Sequence, residues 1–149
     1  MSEPAQPGPV DALVLAAVAC GGGLGAGLRY WLALRIPVRP GMIPWATLLA
    51  NTLGCLAIGV LMVLIAEVWS PHRLIRPFLG VGVLGGFTTF SSYSAEVRTL
   101  LESGATGVAL GYLGGTVVVC LGAVIAGIRI TGYLTGRRGG TNRYGTSGT

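Results

Sequence analysis

The sequence predicts an all-α membrane protein with four transmembrane helices. Three observations predict it. Hydrophobic residues make up 52% of the 149 positions and charged residues 10%, against about 25% charged in an ordinary soluble domain. Four apolar runs each hold enough residues to cross a hydrocarbon core about 30 Å thick at about 1.5 Å per residue. None of the runs alternates polar and apolar residues with the period of two that a membrane β-barrel needs. The length suits one domain, and so little charge argues against a disordered chain.

Residues 1–10, MSEPAQPGPV, are Pro-rich and polar. They predict a disordered tail and lack the basic start of a signal peptide. The core, residues 11–130, holds the four spans. Span one covers about 11–34. Its run Gly21-Gly-Gly-Leu-Gly-Ala-Gly27 has no preceding strand and no βαβ unit, so it is not a dinucleotide fingerprint. The glycines instead allow helices to approach closely. Arg29 follows them, and it either snorkels to the headgroups or stands in a wet vestibule that attracts anions.

Span two covers about 44–66, with Pro44 placed for a first turn. Within it Thr47, Asn51, Cys55 and Gly59 are spaced by four and share one helix face. The Asn51 amide can donate to an anion or bond across helices. Span three covers about 74–100 and contains Gly82-Val-Leu-Gly-Gly-Phe-Thr-Thr-Phe-Ser-Ser-Tyr-Ser94. Glycine costs about 1 kcal/mol in a helix interior, and hydroxyls compete for backbone bonds. The stretch therefore predicts a break near mid-membrane, whose freed carbonyls can hold a small cation; a close-packed helix with back-bonded hydroxyls is the other solution. Span four covers about 106–130. Tyr112 and Thr116 lie one turn apart there, to line a path or bond across helices. Beside them Gly107, Gly111 and Gly115 predict a packing stripe. Residues 131–149, rich in Gly, Thr and Arg, predict a second disordered tail.

The formal charge is +5, and all ten basic residues are Arg. They are scattered rather than clustered with aromatics, which argues against nucleic acid. Arg73, Arg76, Arg129, Arg137, Arg138 and Arg143 fall on one side of the membrane, and Arg29, Arg35, Arg39 and Arg98 on the other. Without the three tail arginines the bias reverses. So weak an orientation signal permits insertion both ways and an antiparallel, dual-topology dimer. Cys20, Cys55 and Cys120 read as small packing residues rather than disulfide partners or metal ligands. Glu67, Glu96 and Glu102 fall at or near span ends, and His72 is alone in a loop. No catalytic constellation is present, so an enzyme is not expected. A proton-driven exporter of cationic compounds would want a mid-membrane carboxylate; that reading and a non-transporting scaffold remain as rivals.

Taken together, these motifs resemble the CrcB family of fluoride channels, also called Fluc. The resemblance covers all four spans. It includes Gly-Gly-Gly-Leu-Gly-Ala-Gly-Leu-Arg-Tyr in span one and Thr-Leu-Leu-Ala-Asn-Thr-Leu-Gly in span two. Its most specific part is Gly-Gly-Phe-Thr-Thr-Phe-Ser-Ser-Tyr-Ser-Ala-Glu, residues 85–96. The resemblance implies a passive fluoride exporter of the bacterial inner membrane, built as an antiparallel dimer with two pores. It implies a structural Na+ at the dimer centre, held by backbone carbonyls at Gly85 and Thr88. It matches Asn51, Phe90 and Tyr93 to pore positions, and Ser91, Ser92, Tyr112 and Thr116 to a hydroxyl track, with Thr47 one turn from Asn51. Tyr93 departs from the family's phenylalanine. Its hydroxyl needs a partner when buried, and it raises the possibility of a partner subunit in a heterodimer.

Overall fold

The structure is a computed structural model and describes residues 11–68 and 73–136. The expected N-terminal tail, His72 and most of the expected C-terminal tail lie outside the described residues. The chain is helical, with no strand among the described residues. Helix α1 spans Ala12–Arg35. Helix α2 spans Trp45–Val63 and runs on in wider turns over Leu64–Val68. Helix α3 consists of wide turns over Pro77–Val83 followed by Leu84–Phe87. Helix α4 spans Phe90–Glu102 and α5 spans Thr106–Leu134.

Among the described residues, three helices are long and apolar enough to cross a membrane: Ala12–Arg35, Trp45–Ala66 and Thr106–Leu134. The expected span three is not among them, because it is divided. Thr88 and Thr89 are extended, at φ −80°, ψ 153° and φ −150°, ψ 125°. On its own α4, with 13 residues, reaches about 20 Å, too short for a hydrocarbon core.

Local chemistry sets the ends. The Asp11 carboxylate accepts from the Leu13 N–H at 3.0 Å and caps α1. It also meets Arg73 at 2.9 Å, tying the start of α1 to the start of the α3 segment. Arg35, in the last turn of α1, lies 5.0 Å from the centre of the Trp31 ring, a pairing suited to a membrane interface. Gly41 and Gly104, at φ 72° and 79°, turn the chain before α2 and before α5, a conformation side chains disfavour. The final helix continues four residues past the expected end at Ile130, and Thr131 and Gly132 are buried. These two residues of the expected tail pack within α5 instead.

Two glycine seams organise the bundle. α1 lies against α3, where Gly21 and Gly82 approach so closely that a Cβ on Gly82 would sit 2.9 Å from the Gly21 Cα. α2 lies against α5, where a Cβ on Gly59 would collide with the Val124 carbonyl and one on Gly127 with the Leu56 carbonyl. The expected stripe Gly107, Gly111 and Gly115 behaves differently: a Cβ there meets nothing within 4 Å. Small residues permit a close approach but do not choose the partner. Leu24, Leu28, Leu110, Val118, Leu121 and many other large apolar side chains are exposed, as a lipid-facing surface requires.

Candidate functional site

α2 and α5 run side by side in the same direction, so residues four apart on each form successive rungs. Thr47 and Tyr112 make the first. Both hydroxyls donate to the Glu96 carboxylate of α4, Thr47 Oγ1 to Oε1 at 2.6 Å and Tyr112 to Oε2 at 2.8 Å. Glu96 is therefore not a span-end anchor; it turns into the bundle and joins α2, α4 and α5. Counting from a span end gives a position along a helix, not the face, which is why the sequence missed it.

Asn51 and Thr116 make the second rung. Asn51 is only 9% exposed and grips the chain interruption with both ends of its amide. Its Nδ2 donates to the Thr89 carbonyl at 3.0 Å, and its Oδ1 accepts from the Thr89 N–H at 2.8 Å. On the next turn Gly54 leaves room for the Thr88 methyl, which a Cβ would strike. Thr116 is 5% exposed, and its hydroxyl has no hydrogen-bond partner. A buried orphan hydroxyl is costly, and this one lies on a cavity of about 350 Å³ lined also by Asn51, Thr89, Phe90 and Tyr93.

The start of α4 is a cluster of hydroxyls. Thr89 Oγ1 accepts from the Ser92 N–H at 3.1 Å and caps the helix. It lies 3.2 Å from the hydroxyls of both Ser91 and Ser92. Arg29 joins the two sides of the interruption: its Nε donates to the Gly86 carbonyl at 3.3 Å and its Nη1 to Ser92 Oγ at 3.5 Å. It turns toward the chain rather than snorkelling outward. In an unbroken helix the Gly85 carbonyl would accept from Thr89 N–H and the Thr88 carbonyl from Ser92 N–H. Those donors are instead taken by Asn51 Oδ1 and Thr89 Oγ1. Both carbonyls therefore lack their helical partners, and hard backbone oxygens of this kind suit a sodium ion.

The aromatic residues divide sharply. Phe90 is 79% exposed. Tyr93 is buried, and its hydroxyl donates to the Leu113 carbonyl at 2.6 Å. The partner that a buried Tyr93 needs is thus supplied by α5. Its ring stands 5.8 Å from the Phe90 ring, tilted by 51°, and edge-on to Tyr112 at 5.3 Å.

A family model described as CrcB-like protein, Camphor Resistance (CrcB), matches residues 16–128. The chain belongs to the CrcB family. Relatives of known name agree. The chain is 57% identical over 136 residues to "Fluoride-specific ion channel FluC 2" of Nocardia farcinica, covering 91% of this chain and 97% of the relative. It is 51% identical over 106 residues to "Fluoride-specific ion channel FluC 2" of Streptomyces avermitilis, covering 71% and 67%. It is 46% identical over 118 residues to "Fluoride-specific ion channel FluC" of Rhodospirillum centenum, covering 78% and 94%. These names are those of channels, not enzymes, and the CrcB match takes in Arg29, Asn51, Glu96, Thr116 and the other residues of this site. Together with the three apolar helices it makes this a multi-pass membrane protein.

Proposed function

We propose that this CrcB-family chain is a fluoride-specific channel that lets fluoride leave the cytoplasm passively and so relieves fluoride toxicity. The observation that carries the reading is the 57% identity, over 97% of its length, to a relative named a fluoride-specific ion channel. The chemistry of the site supports it. Fluoride is small and strongly hydrated, so a path must replace water donors with protein donors. Hydroxyls, an amide and the positive edges of aromatic rings do this without a deep fixed cation that would trap the anion. The Thr116 hydroxyl, with no protein partner, is free to donate to a passing anion. Asn51, Ser91 and Ser92 supply further donors, Phe90 and Tyr93 supply ring edges, and Arg29 favours anions at the entrance; the Thr47 and Tyr112 hydroxyls give their protons to Glu96 and hold that end of the path in shape. Hydrogen fluoride enters a cell neutral and ionises inside. With the membrane potential negative inside, a selective anion leak then drains fluoride outward.

In this reading the working unit is an antiparallel dual-topology dimer in the bacterial inner membrane, built from the single domain 11–130. The α3 and α4 segments form one third span broken at mid-membrane. Gly85 and Thr88 offer two carbonyls per copy to a structural Na+ between the copies. A heteromeric channel is a second reading. It is favoured by the separately numbered relatives FluC 2 and FluC 3 of Streptomyces avermitilis.

Efflux from liposomes holding this chain alone tests the proposal, with a fluoride electrode and a parallel chloride measurement. Fluoride efflux without chloride efflux is the expected result. Efflux of neither ion from well-folded protein would move the chain to the heteromeric reading, and efflux with a related chain added back would establish it. Equal efflux of both ions would overturn fluoride specificity.

A further inference from the structure

The ladder between α2 and α5 has a third rung that the hydroxyl path does not use. One turn beyond Asn51 stands Cys55, and one turn beyond Thr116 stands Cys120. The two residues thus stand at the same level on neighbouring helices, between the Asn51–Thr116 rung and the Gly59–Val124 contact. Both are free and half-buried, and both line the same cavity as Asn51 and Thr116. Beyond them the backbones close at the Gly59–Val124 seam, which fixes the separation of the two helices at this level. Cys20, by contrast, is exposed on α1.

Two thiols from different helices, held by a rigid seam and facing one cavity, have the donor set of a soft, two-coordinate d10 cation. Thiolate sulfur selects such ions, and among the described residues no third His, Cys, Asp or Glu joins the pair to build a tetrahedral site. We propose that Cys55 and Cys120 form a binding site for a soft monovalent cation of the copper(I) class. Binding replaces two S–H bonds by two S–Cu bonds and releases two protons. The bis-thiolate complex carries one net negative charge. The Thr116 hydroxyl, one turn from Cys120 and without a partner, is placed to donate to it.

The test is a copper(I) titration of the purified full chain in detergent, kept anaerobic and read by competition with a coloured copper(I) chelator. Wild type and Cys20→Ser are expected to bind about one copper per chain, and Cys55→Ser or Cys120→Ser to weaken binding by about tenfold or more. A second arm uses wild type alone: bound copper(I) should protect Cys55 and Cys120 from maleimide, as read by mass spectrometry, while Cys20 stays reactive. Unchanged binding in both the Cys55 and Cys120 variants, loss in Cys20→Ser, or absence of protection in wild type would overturn the site. The titration does not depend on ion flux, so its failure leaves the fluoride reading untouched.

Discussion

Asn51 carries two jobs that can be separated. It holds the interruption by accepting from the Thr89 N–H and donating to the Thr89 carbonyl, and it presents an amide to the cavity beside Thr116. Asn51→Ala removes both, so stability should fall by about 1–3 kcal/mol and fluoride efflux should be lost. Asn51→Asp keeps an acceptor for the Thr89 N–H but sets a negative charge on an anion path. It should unfold closer to wild type in detergent melts and still fail to conduct; normal efflux from Asn51→Asp would remove this residue from the path. Tyr93→Phe isolates a different group. The hydroxyl it deletes is spent on the Leu113 carbonyl, so the variant should lose about 1 kcal/mol. The ring edge stays, so efflux should hold within about twofold of wild type. A large drop would mean that the tyrosine hydroxyl itself serves the anion.

At the level of elements, the glycine seams make the clearest demand. A Cβ on Gly127 collides with the Leu56 carbonyl, whereas one on Gly111 meets nothing. Both positions sit on α5, so helix propensity favours alanine equally at each. Gly127→Ala should nevertheless cost about 1–3 kcal/mol through overpacking, and Gly111→Ala should leave or slightly raise the melting temperature; equal effects would mean that α2 and α5 do not meet at this seam. The contrast also shows what a sequence discloses. Long apolar runs without period-two alternation announce α1, α2 and α5, since a helix satisfies every backbone group within its own segment and a barrel would need the alternation. Gly85, Gly86 and the hydroxyls that follow point to the stretch where Thr88 and Thr89 leave the helix. Register between helices is another matter. It arises only when seams such as Gly59–Val124 close, so the inward turn of Glu96, the Tyr93–Leu113 bond and the meeting of Cys55 with Cys120 could not be read in advance. Within the single chain, nothing lies against the Gly107–Gly115 stripe.

At the scale of the molecule, the single chain leaves several features open to a second copy. Phe90 is 79% exposed although it shares the cavity with Asn51. The Gly85 and Thr88 carbonyls have lost their helical donors, yet two oxygens are too few to replace the water around a sodium ion. An antiparallel partner related by an axis in the membrane plane brings equivalent groups to the same depth and doubles the set; a parallel partner does so only with an axis along the membrane normal. Topology therefore decides between them. A single cysteine at Arg39→Cys, in the connection between α1 and α2, should be introduced with Cys20, Cys55 and Cys120 each changed to Ser. In sealed vesicles an impermeant maleimide should then label about half of the sites from outside, and the rest only after the membrane is opened. Labelling that is complete from one side would establish a single orientation, and the antiparallel dimer would fall with it. The sodium site is tested separately: if the Gly85 and Thr88 carbonyls of two copies hold a structural sodium, thorough sodium removal should slow or abolish fluoride efflux, and unchanged efflux with a large organic cation in its place would remove that site.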